Sequence, residues 1–544
     1  MRRRQLWLPM VPIIVCCALV AMTHQQTSHL GTVHFPVSCR AESQAAFNRA
    51  LALLHGAWVQ EASKGFARLT ETEPECAMAY WGGAVSLLAS PLRLPVSPVA
   101  LQEGWAAVVQ AKRLGGPTPR EQDYLDAVEV FFKDPGRLEH PGRELAYEQA
   151  MAQLSRRYPE DREATIFYAL ALLMRLTPFD TAGANRLKAA TILEQILSEQ
   201  PDHPGVRFYL LRSYDTPALA RRGLLLARQS AKLAAVGPDA LHLPAHIFTR
   251  LGLWEEAVRA NLAAIVVATG PSDGQSAGMA TSRRLHAMDA LVYAYLQRGE
   301  ERAAKRVLDE LRTDPPVEVE DLAGAYAVAA IPVRNALESS RWAEAAALTR
   351  PPLPRGVTQF PQAQAVSVFA QALGAARSGD LEPARRALER LEALHHALVS
   401  TRQEEWAAQV EIQQRVAAAW IARAEGRHGD AIRLMQTAVS LETSYPRPSV
   451  MPGPLAPTRE LLAELLLERG HLQRAQREFE AQLDMEPRRL NALYGAAHTA
   501  ELAGDLARAA SFYEDLLALR AEGASRDMPF AQARAFFANI NLER

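Results

Sequence analysis

A spacing of 34 residues constrains this chain more than any other feature. Gly470, Ala475 and Phe479 recur as Gly504, Ala509 and Tyr513, and Pro487 falls between the two sets. Recurrence of residue types at a fixed period is the mark of a stacked repeat, in which each unit buries its apolar face on the next. The residue types also have a physical logic. Glycine suits a tight turn between two helices, where a positive φ or a close approach excludes a side chain. A small alanine lets the second helix approach the first, and an aromatic one turn later fills the gap against the following unit. Proline then ends the hairpin.

The same grammar, less evenly spaced, runs through the rest of the chain. Leu53, Ala62, Phe66, Leu69 and Pro74 sit at the spacings of one unit, and residues 77–84 open the next. Turn-plus-alanine signatures recur at 251–257, 297–303, 378–384 and 427–431, with a version lacking glycine at 340–345. Thirty-four residues is the tetratricopeptide (TPR) period. The predicted class is therefore all-α: an α-α superhelix, a TPR-type solenoid of antiparallel helix pairs, with a number of pairs on the order of a dozen. No alternating polar and apolar run suggests a sheet. Breaker-rich stretches at 269–274, 350–356 and 445–454 cannot continue a helix and read as long inter-helix loops, the last a candidate internal lid. The organisation expected is N-terminal TPR-like repeats over 30–200, an irregular centre over 201–350 and C-terminal repeats over 360–544, the repeat being regular from about Ala431 onward.

At 544 residues the chain is too long for one compact core. Sixty Lys and Arg against 61 Asp and Glu leave a formal net charge of -1, so no global field exists to hold a nucleic acid. Residues 1–25 read as a unit of their own. Arg2, Arg3 and Arg4 precede an apolar run over 6–22, the pattern of a signal peptide or, if uncleaved, an N-terminal anchor. Residue 16 lacks the small neighbour that usually precedes a lipidated cysteine. No other stretch has the roughly 20 apolar residues of a membrane span. Outside the leader only Cys39 and Cys76 remain, either a disulfide of an oxidising compartment or two buried small residues.

Phe35, Pro36 and Cys39, then His55, Trp58 and Ala62, then Pro74, Cys76 and residues 77–82 together resemble the opening of a family of exported bacterial TPR-repeat proteins of unassigned activity. The likeness continues through residues 203–205, 242–252, 285–297 and 326–332, nearly the whole chain beyond the leader. It implies a solenoid fold and an export route, periplasmic or otherwise extracytoplasmic, with inner-membrane anchoring if the leader is retained. It implies little about chemistry.

His203, His242, His246, His286 and Asp289 are the one set with chemical promise, because imidazole and carboxylate from several helices suit a divalent transition metal. In the family pattern His-Pro-Gly is followed by two further histidines, whose places are taken here by Phe208 and Arg212, so the resemblance implies a degenerate site. His242 and His246 are four apart, but Pro244 lies between them. Because proline is best tolerated in a first turn, the helix is expected to begin there, with His242 in the preceding loop. The sequence favours a structural role, histidines capping helices and bonding loop carbonyls. His55, with no local acid or base partner, also reads as packing. There is no Gly-x-Ser-x-Gly elbow, phosphate-cradling loop or His-Glu-x-x-His helix. The expectation is a scaffold without catalytic residues or cofactor, the alternative being a metal-binding protein or metalloenzyme that uses the central His/Asp set, partly degenerate here. The scaffold's concave face would take a protein or peptide, with no nucleic acid and with membrane contact only through an uncleaved N-terminal segment.

Overall fold

The computed structural model describes residues 30–544 apart from 89–95, 135–137, 176–182, 231–236, 270–276, 314–318, 320, 349–359, 446, 449, 520–526 and 544. The leader and the seams at 270–274 and 350–356 lie outside the described residues. Among the described residues there are 25 helices and no strand. The first ten are α1 (Ala41–His55), α2 (Val59–Thr72), α3 (Ala77–Leu88), α4 (Pro98–Leu114), α5 (Pro119–Phe132), α6 (His140–Arg157), α7 (Arg162–Met174), α8 (Ala184–Glu199), α9 (Val206–Tyr214) and α10 (Ala220–Ser230). The centre contains α11 (Pro238–Arg250), α12 (Trp254–Thr269), α13 (Ala277–Gln297), α14 (Glu301–Thr313), α15 (Leu322–Leu337) and the short α16 (Trp342–Ala346). The remainder are α17 (Pro361–Ser378), α18 (Leu381–Ser400), α19 (Glu404–Ala424), α20 (His428–Ser444), α21 (Thr458–Glu468), α22 (Leu472–Met485), α23 (Leu490–Leu502), α24 (Leu506–Leu517) and α25 (Asp527–Glu543). They pair in sequence as twelve hairpins, an odd-numbered A helix followed by an even-numbered B helix, with α25 closing the array. The class is an all-α superhelix.

Local chemistry sets the helix ends. Thr118 and Glu121 cap α5 reciprocally, with Pro119 in its first turn, and Asp161 and Asp321 each accept a backbone N–H at the start of α7 and α15. The hairpin turn follows one rule. Gly252, Gly299, Gly379, Gly426, Gly470 and Gly504 all have φ between +66° and +84°. Five residues later Ala257, Ala304, Ala384, Ala431, Ala475 and Ala509 are buried where helix B meets helix A. The frame corrects two assignments. The turn glycine before Ala431 is Gly426, Gly429 lying inside α20, and the small residue after Gly299 is Ala304 rather than Ala303. Ala57 (φ 65°) and Ser340 (φ 56°) hold the same conformation without being glycine, ahead of buried Ala62 and Ala345.

The aromatic positions pack as their spacing implied. The rings of Phe66 and Phe479 lie so close to Gly82 and Gly495 of the next A helix that an added Cβ would meet them at 2.3 Å. Tyr513, the equivalent residue of the last pair, is buried against Phe536 of α25. Removing each ring from water stabilises by roughly 1.5–3 kcal/mol, more than the ~1 kcal/mol a helical glycine costs.

The superhelix winds tightly enough for successive turns to touch. The Gly237 N–H donates to the Gly56 carbonyl at 3.1 Å, joining the first pair to the start of the sixth, and the Thr32 N–H, ahead of α1, donates to the Asp202 carbonyl between α8 and α9 at 3.1 Å. Further along, Trp254 Nε1 donates to the Arg488 carbonyl at 2.8 Å, and the Leu490 N–H donates to Gln297 Oε1 at 3.0 Å. Between these contacts the strap 450–457 runs inward. Val450, Met451 and Leu455 are buried, and Gly453 lies against the Tyr293 ring. All of α15 is buried, because α13, α17 and the strap enclose a helix that an open solenoid would leave half exposed.

Candidate functional site

The five residues singled out in the sequence do not form one cluster. The A helices bring His242, His246 and His286 together and pair Asp289 with Arg334, while the loop between α8 and α9 places His203 against His55 and Glu163.

His242 and His246 both lie within α11. The helix begins at Pro238, not at Pro244, so the expectation that His242 sits in a preceding loop is wrong. Pro244 forfeits the hydrogen bond to the carbonyl four residues back. The helix continues through it because Ala245 and Ile247 beyond it are packed in the core. Spacing of four then sets both imidazoles on one face. His286 of α13 approaches the same point, its ring centroid 4.6 Å from that of His242.

Hydrogen bonds fix the tautomers of two of these rings. His242 Nδ1 lies 2.7 Å from Asn261 Oδ1, and Asn261 Nδ2 donates to the Ala257 carbonyl, so the amide oxygen faces the ring and Nδ1 carries the proton. His246 Nδ1 donates to Asp215 Oδ2 at 2.9 Å, and Arg250 holds the other carboxylate oxygen at 3.2 Å. The two Nε2 atoms face each other at 2.9 Å. His286 is buried, and neither of its ring nitrogens has a hydrogen-bond partner among the described residues. One nitrogen from each of the three rings falls within 4.8 Å of the others. Burial, with His286 and His246 nearby, holds His242 well below the usual imidazole range. Burial, with His246, pushes His286 down to about 3. Burial alone would raise Asp215, but His246 and Arg250 outweigh it and keep the carboxylate well below its ordinary value.

The second cluster, two histidines and a glutamate, has the opposite hydrogen-bond balance. Glu163 of α7 accepts from His55 Nε2 at 3.0 Å and from His203 Nε2 at 3.1 Å. The Gly205 N–H donates to His203 Nδ1 at 3.2 Å, and His55 Nδ1 is 2.9 Å from the Tyr209 hydroxyl. Every ring nitrogen therefore has a partner within the fold. Burial lowers the His55 pKa against the pull of Glu163. The same burial would raise Glu163, but the two imidazoles hold its carboxyl well below the normal range. His55 was read as lacking an acid partner. The partner arrives from 108 residues away, beyond the reach of local pattern.

Asp289 is an ion-pair partner. Arg334 Nε donates to it at 2.7 Å with both side chains fully buried, so no carboxylate oxygen turns toward the histidines as a ligand. Phe208 and Arg212 border a small pocket near Leu54 and Tyr209, away from the three-histidine cluster. Cys39 and Cys76 are joined by a disulfide, S–S 1.95 Å. A cavity of about 250 Å³ opens beside the strap, lined by Phe369, Gln413, Val416, Met451, Leu455 and Met485 and by the Asp215–Arg250 and Glu486–Arg447 pairs. Asp215 thus belongs both to the cavity wall and to the support of His246.

Sequence reasoning missed Asn261, Asp215 and Glu163. Asn261 left a signal, a lone amide in the apolar middle of α12, whereas Glu163 reads as an ordinary acid in a helix first turn.

No protein-family model matches the chain, and no curated protein matches it. Among solved structures, yeast Tom70 aligns over 92% of this chain and 96% of its own at 12% identity and a TM-score of 0.31. The human IFIT1 dimer with m7Gppp-AAAA aligns over 82% and 90% at 14% identity and 0.37. The APC/C hetero-tetramer Cut9-Hcn1 aligns over 90% and 95% at 11% identity and 0.29. Similarity at this level adds nothing to the site, and the fold class rests on the twelve helix pairs themselves.

Proposed function

We propose that this chain is a helical-repeat scaffold that receives a short segment of a partner protein in the cavity beside strap 450–457. The supporting observation is the cavity itself. It is walled by α11, α17, α19, α22 and the strap and mixes apolar side chains with Gln409, Gln413 and Gln482. Apolar side chains flanked by glutamines and by the Asp215–Arg250 and Glu486–Arg447 pairs offer an incoming segment both apolar contact and polar partners. At about 250 Å³ it is near the small end of ligand pockets, roughly 300 Å³ and upward, and suits an extended segment rather than a helix. The strap runs into the interior that an open solenoid would present as a groove, and the cavity lies beside it.

A photo-crosslinking residue at Gln413 tests the idea, with Val416→Trp as the cavity-filling control. The expectation is a crosslinked partner whose yield collapses in the Trp variant. A crosslink indifferent to Val416→Trp, or none at all in the native host, defeats the proposal.

We further infer an exported, bacterial envelope protein, periplasmic or otherwise extracytoplasmic. Support comes from the Arg2–Arg4 and 6–22 pattern together with the Cys39–Cys76 disulfide, a bond that persists in oxidising compartments. No described helix is long and apolar enough to cross a membrane. Intact-mass analysis of fractionated cells without reductant should find a leaderless, oxidised chain outside the cytosol. A full-length reduced chain in the cytosol would remove this assignment.

A further inference from the structure

We infer that His242, His246 and His286 form a binding site for a divalent transition-metal ion, zinc being the first choice, with Asn261 and Asp215 as the groups that orient the ligands. The site shares Asp215 with the cavity wall but needs no ligand in the cavity.

The argument begins with the protons. His242 and His246 each commit Nδ1–H to an oxygen, Asn261 Oδ1 and Asp215 Oδ2. In the neutral rings both Nε2 atoms then carry lone pairs, and these face each other at 2.9 Å. Two lone pairs at that distance repel unless a cation lies between or beside them. A shared proton would reconcile these two rings, but it would leave His286 buried with both nitrogens unpartnered. Leaving such a group buried and unsatisfied costs on the order of 1–3 kcal/mol. One metal ion resolves all three at once.

The surroundings support the same conclusion. A metal-binding imidazole characteristically donates its other N–H to a carboxylate or carbonyl, which fixes the tautomer and ring angle, and two of the three rings do so here. Asp215 is itself steadied by Arg250. Metal–nitrogen bonds of roughly 2.0–2.1 Å in a tetrahedral arrangement separate ligand nitrogens by about 3.3 Å. The 2.9 Å pair must open by a few tenths of an ångström, and any of the three spacings longer than about 3.3 Å, none beyond 4.8 Å, must close. Side-chain rotation accommodates both. Three neutral imidazoles select zinc, copper, nickel or cobalt over magnesium or calcium, which favour oxygen. The ion's charge is partly balanced by Asp215.

The His55–Glu163–His203 cluster is the internal contrast. It also places three potential ligand atoms close together. There the Gly205 N–H occupies the His203 Nδ1 lone pair, so Nε2 carries the proton toward Glu163, and the Tyr209 hydroxyl meets His55 Nδ1, so neither imidazole offers a free lone pair to a metal.

The test uses the chain stripped with chelator and titrated with Co²⁺ and then Zn²⁺ against a chromophoric competitor. Expected are one equivalent of Co²⁺ per chain with visible ligand-field bands, displaced by Zn²⁺. The bands should be lost in His246→Gln and His286→Gln and kept in Glu163→Gln. Asp215→Asn should keep the bands and bind roughly 10–100-fold more weakly, the usual effect of removing an orienting partner. Wild-type chain that takes up no stoichiometric Co²⁺ or Zn²⁺ overturns the proposal, as does uptake that survives in the His242→Gln/His246→Gln/His286→Gln variant. Circular dichroism reports whether each variant folds. Should the glutamine variants not fold, imidazole ¹⁵N shifts of wild-type chain decide: three rings moving on Zn²⁺ addition support the site, and none moving ends it.

Discussion

Arg334 donates Nε to Asp289 at 2.7 Å and, through its remaining N–H groups, grips the carbonyls of Pro454 at 3.0 Å and Gly453 at 2.9 Å. One fully buried guanidinium therefore neutralises a carboxylate of α13 and anchors the strap. Asp289→Ala strands that charge, and breaking a buried pair from one side costs about 3–5 kcal/mol. Urea unfolding should show a loss of that size, with strap 450–457 cut early in limited proteolysis. Metal uptake by the folded fraction should be unchanged, because Asp289 is not a ligand.

Glu163→Gln probes the closed cluster. A carboxylate accepts from both His55 and His203, whereas an amide turns one N–H donor toward an imidazole N–H. The Gly205 N–H prevents His203 from reversing its tautomer, so His55 must reverse and turn Nδ1–H onto the Tyr209 hydroxyl, which then loses the ring as acceptor for its own proton. The expected destabilisation is about 1–3 kcal/mol, read from chemical denaturation. A neutral or stabilised variant would show that the network contributes less than its geometry implies.

The same cluster makes stability pH-dependent. Burial lowers His55 in the folded chain, so below its unfolded value of roughly 6.5 the unfolded chain binds the extra proton and stability falls with pH. Glu163, held low in the fold, adds a second loss below its unfolded value of roughly 4.3. The melting temperature should therefore decline from pH 7 toward 5 and more steeply below that. His55→Asn should flatten the upper part of that decline.

Gly495→Ala sets packing against propensity. Alanine is the better helix former by about 1 kcal/mol, yet its Cβ would lie 2.3 Å from the Phe479 ring. Overpacking of this kind costs roughly 1–3 kcal/mol, so the net sign should be destabilising. Gly495→Ala combined with Phe479→Leu should recover part of the loss in thermal melts.

The Cys39–Cys76 bond closes a sequence separation of 37. Chain-entropy reasoning assigns such a loop about 3–4 kcal/mol, so the Cys39→Ser/Cys76→Ser variant should lose that much in equilibrium unfolding.

Much of the fold was legible in the chain because it is local. A turn glycine, a small residue five later and an aromatic four after that interact within one hairpin or with the next, so Gly470, Ala475 and Phe479 declare their roles without tertiary information. The spacing of His242 and His246 was equally visible, and only Pro244 misdirected the reading of the helix start. Which residues meet across the superhelix was not legible. Glu163 reaches His55 over 108 residues and Arg334 reaches the strap over 119, separations that no periodicity encodes. Sequence determined the helix pair and its repetition, since those follow from turn geometry and side-chain size within some 34 residues. Tertiary structure decided the rest: how tightly the superhelix winds, and hence that the strap fills its interior, that Asp289 serves Arg334, and that three histidines meet with their lone pairs unclaimed.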